Sequence, residues 1–441
     1  MKAKMKHIIC FLLFCGLLVG TGKFFRYLLV DDTASYTRIT FHEMYEQDNI
    51  DVLFVGSSHC DQSFIPDIFD EKLGLNTFNG GTSAQHPDGS YLVIKEAAKY
   101  NEIKQIYLEL YFGLARHNYK DRTELTQFYI IADYLRPSID KTLYLLSISP
   151  KEYYSNNFIL ARRYWTKFFD ADYVKDVLIK KNTNAYKNYE YISNGTSWYY
   201  GKGYLANSEK DAVRDWNFFD MRNPSTASLG DVSQDWVDSL EDIISFCEKK
   251  NIQLTLVSAP MSNYHLVRQG NGNYDKYITT VQNLIAGTDV RYYDFNLCKE
   301  TYIPNSSELF KDAGHMNYTG AKLFSTLFAD FLNGEIPENE LFWDSYVEKL
   351  AHLEPTVFGV SYYDSQTDND EALRHCEVIA TPDMNLEYEI ILSPAEGEPY
   401  KLQDFSANRF FTLQPDEHGT VTVTYRPSSS PKETATCNIT Y

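Results

Sequence analysis

The run Val52-Leu53-Phe54-Val55 is apolar and partly β-branched, and Gly56-Ser57-Ser58-His59 closes it without a spacer. A short apolar run of this kind makes a strand buried on both faces, as parallel sheets require. Pro66 to Leu73 then reads as a helix, with proline in the first turn where its missing N–H costs nothing. A strand feeding a tight Gly-Ser turn into a helix sets the turn's side chains at the carboxyl edge of a sheet. That edge is where open α/β folds build their sites.

The alternation continues. Leu75 to Phe78 predicts a second strand, ending in Asn79-Gly80-Gly81-Thr82-Ser83, and Ser90 to Tyr100 a second helix. Ile103 to Leu110 completes a β-α-β-α-β pattern, which implies parallel strands joined by right-handed crossovers. Residues 113–230 break the pattern with aromatic-rich, helix-like stretches, among them Gln127 to Leu135 and Asp172 to Lys180, and a turn-rich segment from Asn194 to Tyr204. Such a length is too great for a loop and predicts an inserted helical cap. Helix Trp236 to Lys250, strand Ile252 to Val257, helix Asp275 to Ala286 and strand Val290 to Phe295 resume the alternation. A last amphipathic helix follows His315, its apolar face carried by Leu323, Phe324, Leu327, Phe328 and Phe331.

The tail changes character. Val357 to Tyr363, Cys376 to Ala380, Leu386 to Leu392 and Thr420 to Tyr425 read as short strands separated by turn residues, which predicts an antiparallel β-sandwich module. The expected organisation is a membrane anchor or signal peptide over 1–30 and a juxtamembrane connection over 31–49. An α/β parallel-sheet, three-layer core follows over 50–334, with its cap at 113–230, then a charged linker over 335–354 and a β-rich module over 355–441.

Lys2, Lys4 and Lys6 precede the apolar run Ile8 to Gly22, and Lys23 and Arg26 follow it. The run is shorter than the ~20 residues of a comfortable span, but snorkelling of Lys23 and Arg26 extends it to Val30. Positive residues ahead of the run place the body outside the cytoplasm. An uncleaved anchor is the favoured reading; Gly20 and Gly22 weakly imitate a cleavage site, so secretion is the alternative. The 41 basic and 60 acidic residues give a net charge of −19, which excludes a phosphate-backbone partner and disfavours a strongly anionic polymer. The 35 tyrosines fit sugar-stacking surfaces or half-buried helix interfaces, the second being the commoner use. None of the seven cysteines has metal-ligand spacing, so no metal and no cofactor is expected; Cys376 and Cys437 are candidates for pairing. Asn194, Asn305, Asn317 and Asn438 head N-x-S/T triplets, a pattern short enough to occur by chance.

Ser58 is the candidate nucleophile. A serine hydroxyl is inert until a base takes its proton, and Asp312-Ala-Gly-His315 offers that base with a carboxylate three residues away to orient it. The oxyanion of an acyl-transfer reaction is expected to take the Ser58 and Gly81 N–H groups, Gly80 and Gly81 allowing a close approach. Ser57, His59 and Asn317 border this set. Plainer readings stand beside each: Ser57 and Ser58 as helix caps, Asn317 as the N-cap of the last helix, Asp312 as a helix-entry acid, and His59, His86, His117 and His265 as surface or packing residues.

Gly56-Ser57-Ser58, Asn79-Gly80-Gly81 and Asp312-x-x-His315-x-Asn317, in this order on a β-α-β core, resemble the SGNH (GDSL-type) hydrolase superfamily. The Gly-Ser-Ser-His version, the anchor and His-x-Asn-Tyr-x-Gly-Ala are most similar to its extracytoplasmic acyl-transfer branch. That branch includes the D-alanine transfer proteins of teichoic acid modification and exopolysaccharide O-acetyltransferases. The resemblance spans 50–112 and 235–333. It implies a bacterial envelope acyltransferase working on a glycan acceptor with an acyl donor, beside a membrane-bound O-acyltransferase. An esterase or deacetylase of the same fold is one alternative, and a non-catalytic envelope protein binding a glycan or partner is another. One block departs from the superfamily: Gly-x-Asn-Asp is replaced by Glu109-Leu110-Tyr111-Phe112, so a third oxyanion donor has to come from elsewhere, with Asn79 and Ser83 as candidates.

Overall fold

The computed structural model describes residues 2–116, 125–193, 195–210, 217–221, 232–270, 274–366, 372–381 and 385–441. Its strands, in chain order, are β1 (Val52–Val55), β2 (Thr77–Asn79), β3 (Gln105–Glu109), β4 (Ser197–Gly201), β5 (Tyr204–Asn207), β6 (Phe218–Met221), β7 (Gln253–Ser258) and β8 (Arg291–Asp294). The tail supplies β9 (Thr356–Gln366), β10 (Ala372–Thr381), β11 (Leu386–Pro394), β12 (Tyr400–Ser406), β13 (Phe410–Leu413), β14 (Gly419–Pro427) and β15 (Ala435–Thr440).

The central sheet is mixed into an α/β core and is parallel throughout, in the order β2-β1-β3-β7-β8. Alternate residues of each strand feed two separate cores, which explains why the strands read as continuous apolar runs. Leu53, Val55, Ile106 and Leu108 meet Leu92 and Val93 of helix Pro87–Ala97 and Trp236 and Leu240 of helix Gln234–Lys250. Val52, Phe54 and Tyr107 meet Phe69 of helix Pro66–Leu73 and the Phe324 and Phe328 rings of helix Tyr318–Leu332. Strand order reverses between β1 and β3, and a crevice opens at the carboxyl ends of such a pair. Ser58 follows shortly after β1, and Glu109 ends β3, at that edge of the sheet.

Among the described residues, one helix is long and apolar enough to cross a membrane: Lys2–Leu29, whose Met5–Leu29 stretch has a mean hydropathy of 2.2. Leu29 and Val30 are buried in the body, so the helix ends inside the folded protein. The predicted cap is not all helix. Its β4–β5 hairpin extends the edge of β2, where the Asn79 N–H donates to the Lys202 carbonyl at 2.9 Å, and its β6 pairs in parallel with β9 of the tail. The tail forms two antiparallel sheets, β13-β10-β9 with β6 added at the edge, and β12-β11-β14-β15. Cys376 and Cys437 share the core between these sheets, yet each is a free thiol, as are the other five cysteines. His117 and Asn194 lie outside the described residues.

Candidate active site

β1 delivers the turn. Gly56 sits at φ 154°, and a Cβ there would lie 2.6 Å from the Glu109 Cβ, so only glycine lets the ends of β1 and β3 come this close. Ser57 then caps the short helix Ser58–Asp61, its Oγ accepting from the His59 N–H at 3.2 Å. The Ser57 N–H and hydroxyl both donate to Glu109 Oε2, at 2.8 Å each. Burial pushes the Glu109 carboxyl up to about 7 against the pull of these two bonds, with the Asp61 charge adding to the rise. Asp61 is buried too and is pushed up to about 6, although Tyr36 donates to its Oδ2 at 3.0 Å. Ser58, the first residue of the helix, projects from this clamp and is half-buried.

The second half comes from the segment between β8 and helix Tyr318–Leu332. Asn317 caps that helix, accepting from the Gly320 N–H at 3.0 Å, and its amide ties back to the Glu308 carbonyl at 2.8 Å. The Ala313 carbonyl accepts from the Ser262 hydroxyl at 2.6 Å. So anchored at both ends, the segment 312–315 reaches the β1 turn.

Ser58 Oγ lies 2.8 Å from His315 Nε2, and His315 Nδ1 lies 2.9 Å from Asp312 Oδ1. That carboxylate oxygen also accepts from the Gly314 and His315 N–H groups, at 2.9 Å each. Partial burial pushes the Asp312 carboxyl up, but the His315 ring and the two backbone donors outweigh it and hold the group well below the usual carboxylate range. A carboxylate that stays ionised fixes the imidazole with its proton on Nδ1, which leaves Nε2 as the acceptor facing Ser58. His59 stacks on His315 at 4.4 Å between ring centroids. Burial first, and the neighbouring His315 and His265 second, drive the His59 basicity well below the ordinary histidine value, so a neutral ring backs the His315 ring.

Gly81 and Asn79 are arranged differently from the expectation. The Gly81 N–H donates to Asn79 Oδ1 at 3.0 Å, while both hydrogens of the Asn79 amide go to the Cys60 and Phe64 carbonyls at 2.8 and 2.9 Å. These groups are therefore spent on bracing the second turn against the helix Ser58–Asp61 and the chain just after it. Ser83 is exposed, and its N–H donates to the Tyr36 hydroxyl. The Ser58 N–H has no acceptor among the described residues. Ser57 and Asn317 act as caps, as their plainer readings had it. His59 and His86 are buried, and His265 meets the Tyr111 hydroxyl at 3.0 Å.

Glu109 and Tyr36 are the neighbours that sequence reasoning passed over. A charged residue ending an otherwise buried strand was the signal for Glu109; Tyr36, in the helix Tyr36–Glu46, gave none. The packing around Gly81 yields a prediction. An alanine Cβ would sit 2.7 Å from the Cys60 Cβ and 2.9 Å from the Asp61 backbone nitrogen, so Gly81→Ala must displace the helix that carries Ser58. A shift near 1 Å costs on the order of 100-fold in rate. Ester turnover by Gly81→Ala, measured beside its thermal melting, is expected to fall by that order while the chain stays folded.

No family model matches the sequence, and no curated protein does either. Among solved structures, a protein provisionally described as a platelet activating factor from Streptococcus pneumoniae aligns over 68% of this chain and 93% of its own, at 12% identity and a TM-score of 0.33. A provisionally assigned acylhydrolase from Bacteroides fragilis aligns over 67% and 94%, at 9% identity and 0.29. A GDSL-like lipase from Bacteroides thetaiotaomicron aligns over 69% and 100%, at 8% identity and 0.29.

Proposed function

We propose that this chain is an SGNH-type serine acyltransferase, anchored in the membrane with its body outside the cytoplasm, that esterifies hydroxyls of a cell-surface or secreted glycan. The reading is carried by the 2.8 Å approach of Ser58 Oγ to an imidazole whose other nitrogen is held by Asp312. His315 Nε2 takes the Ser58 proton as Oγ attacks the acyl carbonyl of an ester donor. The donor's C–O bond then breaks, and His315 returns the proton to the departing alcohol oxygen. An acceptor hydroxyl gives its proton to His315, attacks the acyl-Ser58 carbonyl, and the freed Ser58 oxygen recovers that proton. The developing oxyanion is met by the Ser58 N–H. Gly81 joins only by exchanging its bond to Asn79, so the hole is poor in donors, and each missing one costs about 100- to 1000-fold. The donor is supplied by a membrane-bound O-acyltransferase in this reading.

Esterase action differs only in what meets the acyl-enzyme, and one observation favours it. Asp312 keeps 51% of its side-chain surface exposed, so the dyad is open to water. Partitioning decides. Protein acetylated with p-nitrophenyl acetate is offered neutral oligosaccharides, and acetate and acetyl-oligosaccharide are quantified by mass spectrometry. Acetyl-oligosaccharide that disappears in Ser58→Ala supports the transferase; acetate alone at saturating acceptor supports the esterase and overturns transfer.

A further inference from the structure

The N-terminal helix does not stand clear of the body. Phe25 contacts the Trp165 ring at 5.7 Å and the Phe168 ring at 5.8 Å, both of them in the insertion. Along the helix, Leu18 to Arg26 form one wall of a groove of about 1040 Å3 whose other wall is the segment 156–166. The groove's interior is apolar, and Lys23, Arg26 and Arg162 line it as well. Beside it the chain exposes large apolar side chains, 55% of Ile159, 48% of Trp165 and 81% of Phe169.

Depth decides what covers this surface. Leu17 is the midpoint of Met5–Leu29. At 1.5 Å of rise per residue Phe25 stands ~12 Å from the midplane, inside the ~15 Å half-thickness of the hydrocarbon core. Residues that touch Phe25 are therefore at bilayer depth whenever the helix spans. Aromatic rings with Lys and Arg beside them are what the headgroup boundary selects. The exposed patch is continuous with the lipid-facing surface of the helix, which a separate protein partner would not require.

We infer that segment 156–169 seats in the outer leaflet beside the N-terminal helix, and that the groove between them takes a phospholipid acyl chain under its basic rim. The inference rests on the anchor reading above. It has a consequence for the reaction. The helix ends in the buried Leu29, and seven residues later Tyr36 holds Asp61 of the nucleophile's helix, so a cap fixed to the bilayer holds Ser58 at a set height above it.

Depth-dependent quenching in vesicles tests this with the full chain. Protein is reconstituted in phosphatidylcholine containing brominated lipid, and an environment-sensitive fluorophore is attached in turn at three places. The native Cys10 reports the helix; Phe169→Cys and Tyr400→Cys, each in a Cys10→Ser/Cys15→Ser background, report the cap and the β module. The label at 169 is expected to lose most of its fluorescence to lipid brominated near the headgroup, and the label at 400 to lose none. Quenching at Cys10 without quenching at 169 overturns the inference and leaves the anchor standing. No quenching at either overturns both. A label at 169 that is dark to pure lipid but shielded in native membranes identifies a protein partner instead, and also overturns it.

Discussion

Ser58→Ala is expected to reduce turnover of a soluble acetyl ester by at least about 10^4-fold, to the level that binding and the remaining oxyanion donor sustain. The nucleophile and its base act as one unit, so His315→Ala should cost about as much, and the double variant no more than either alone. Asp312→Asn should lose about 10^4-fold while keeping the geometry. An amide in place of the carboxylate presents a donor to Nδ1, turns the imidazole to the wrong tautomer and points an N–H at Ser58. None of these changes should unfold the protein: Ser58 is half-buried, its hydroxyl bonds to His315 among the described residues, and asparagine at 312 keeps an oxygen for the Gly314 and His315 N–H groups. Initial rates of ester cleavage, taken with a circular-dichroism melt of each variant, check the set. A Ser58→Ala protein that retains a tenth of the wild-type rate contradicts it.

Stability should fall as pH rises from about 4.5 to about 7, and Glu109→Gln should remove much of that slope. The sign follows from proton counting. In the fold Glu109 keeps its proton up to about 7, whereas at its ordinary value of 4.5 the unfolded chain releases it. Between those values the native state binds the extra proton, so each step upward in pH favours unfolding. The shift corresponds to about 3 kcal/mol across the window. Asp61 acts in the same direction between 3.8 and about 6, so the wild-type slope begins lower and the difference between the two proteins isolates Glu109. Glutamine keeps an oxygen for the Ser57 N–H and hydroxyl but carries no titrating proton. Urea unfolding at pH 4.5, 6 and 7.5 should show wild type losing about 3 kcal/mol more than the variant. Parallel profiles would mean that Glu109 is ionised in the fold throughout.

The parallel core was legible because its signal is local. Val52 to Val55 is a strand by composition and is ended by Gly56 where the prediction ended it, and helix Pro66–Leu73 falls on its predicted bounds. The spacing of Asp312 and His315 was equally readable, since three intervening steps suffice for a carboxylate and a ring to meet. Bringing Ser58 to His315 across 257 residues depended on strand order, which alternation of strands and helices conveys. What was not legible depends on competition between partners. Nothing in Asn79-Gly80-Gly81 tells that the asparagine would claim the Gly81 N–H for itself. Edge elements escaped for a related reason: β6 is four residues whose pairing with β9 is set by tertiary packing, not by its own pattern. Glu109 was visible as a departure from the resembled family before its clamp on Ser57 was.

The central claim is that Ser58 is a nucleophile activated by His315. A fluorophosphonate probe, which reacts with activated serines, followed by peptide mass spectrometry, addresses it directly. The account predicts one adduct per chain, on the peptide carrying Ser58, absent from His315→Ala. A folded wild-type protein that takes up no probe, or takes it up on another serine, contradicts the account.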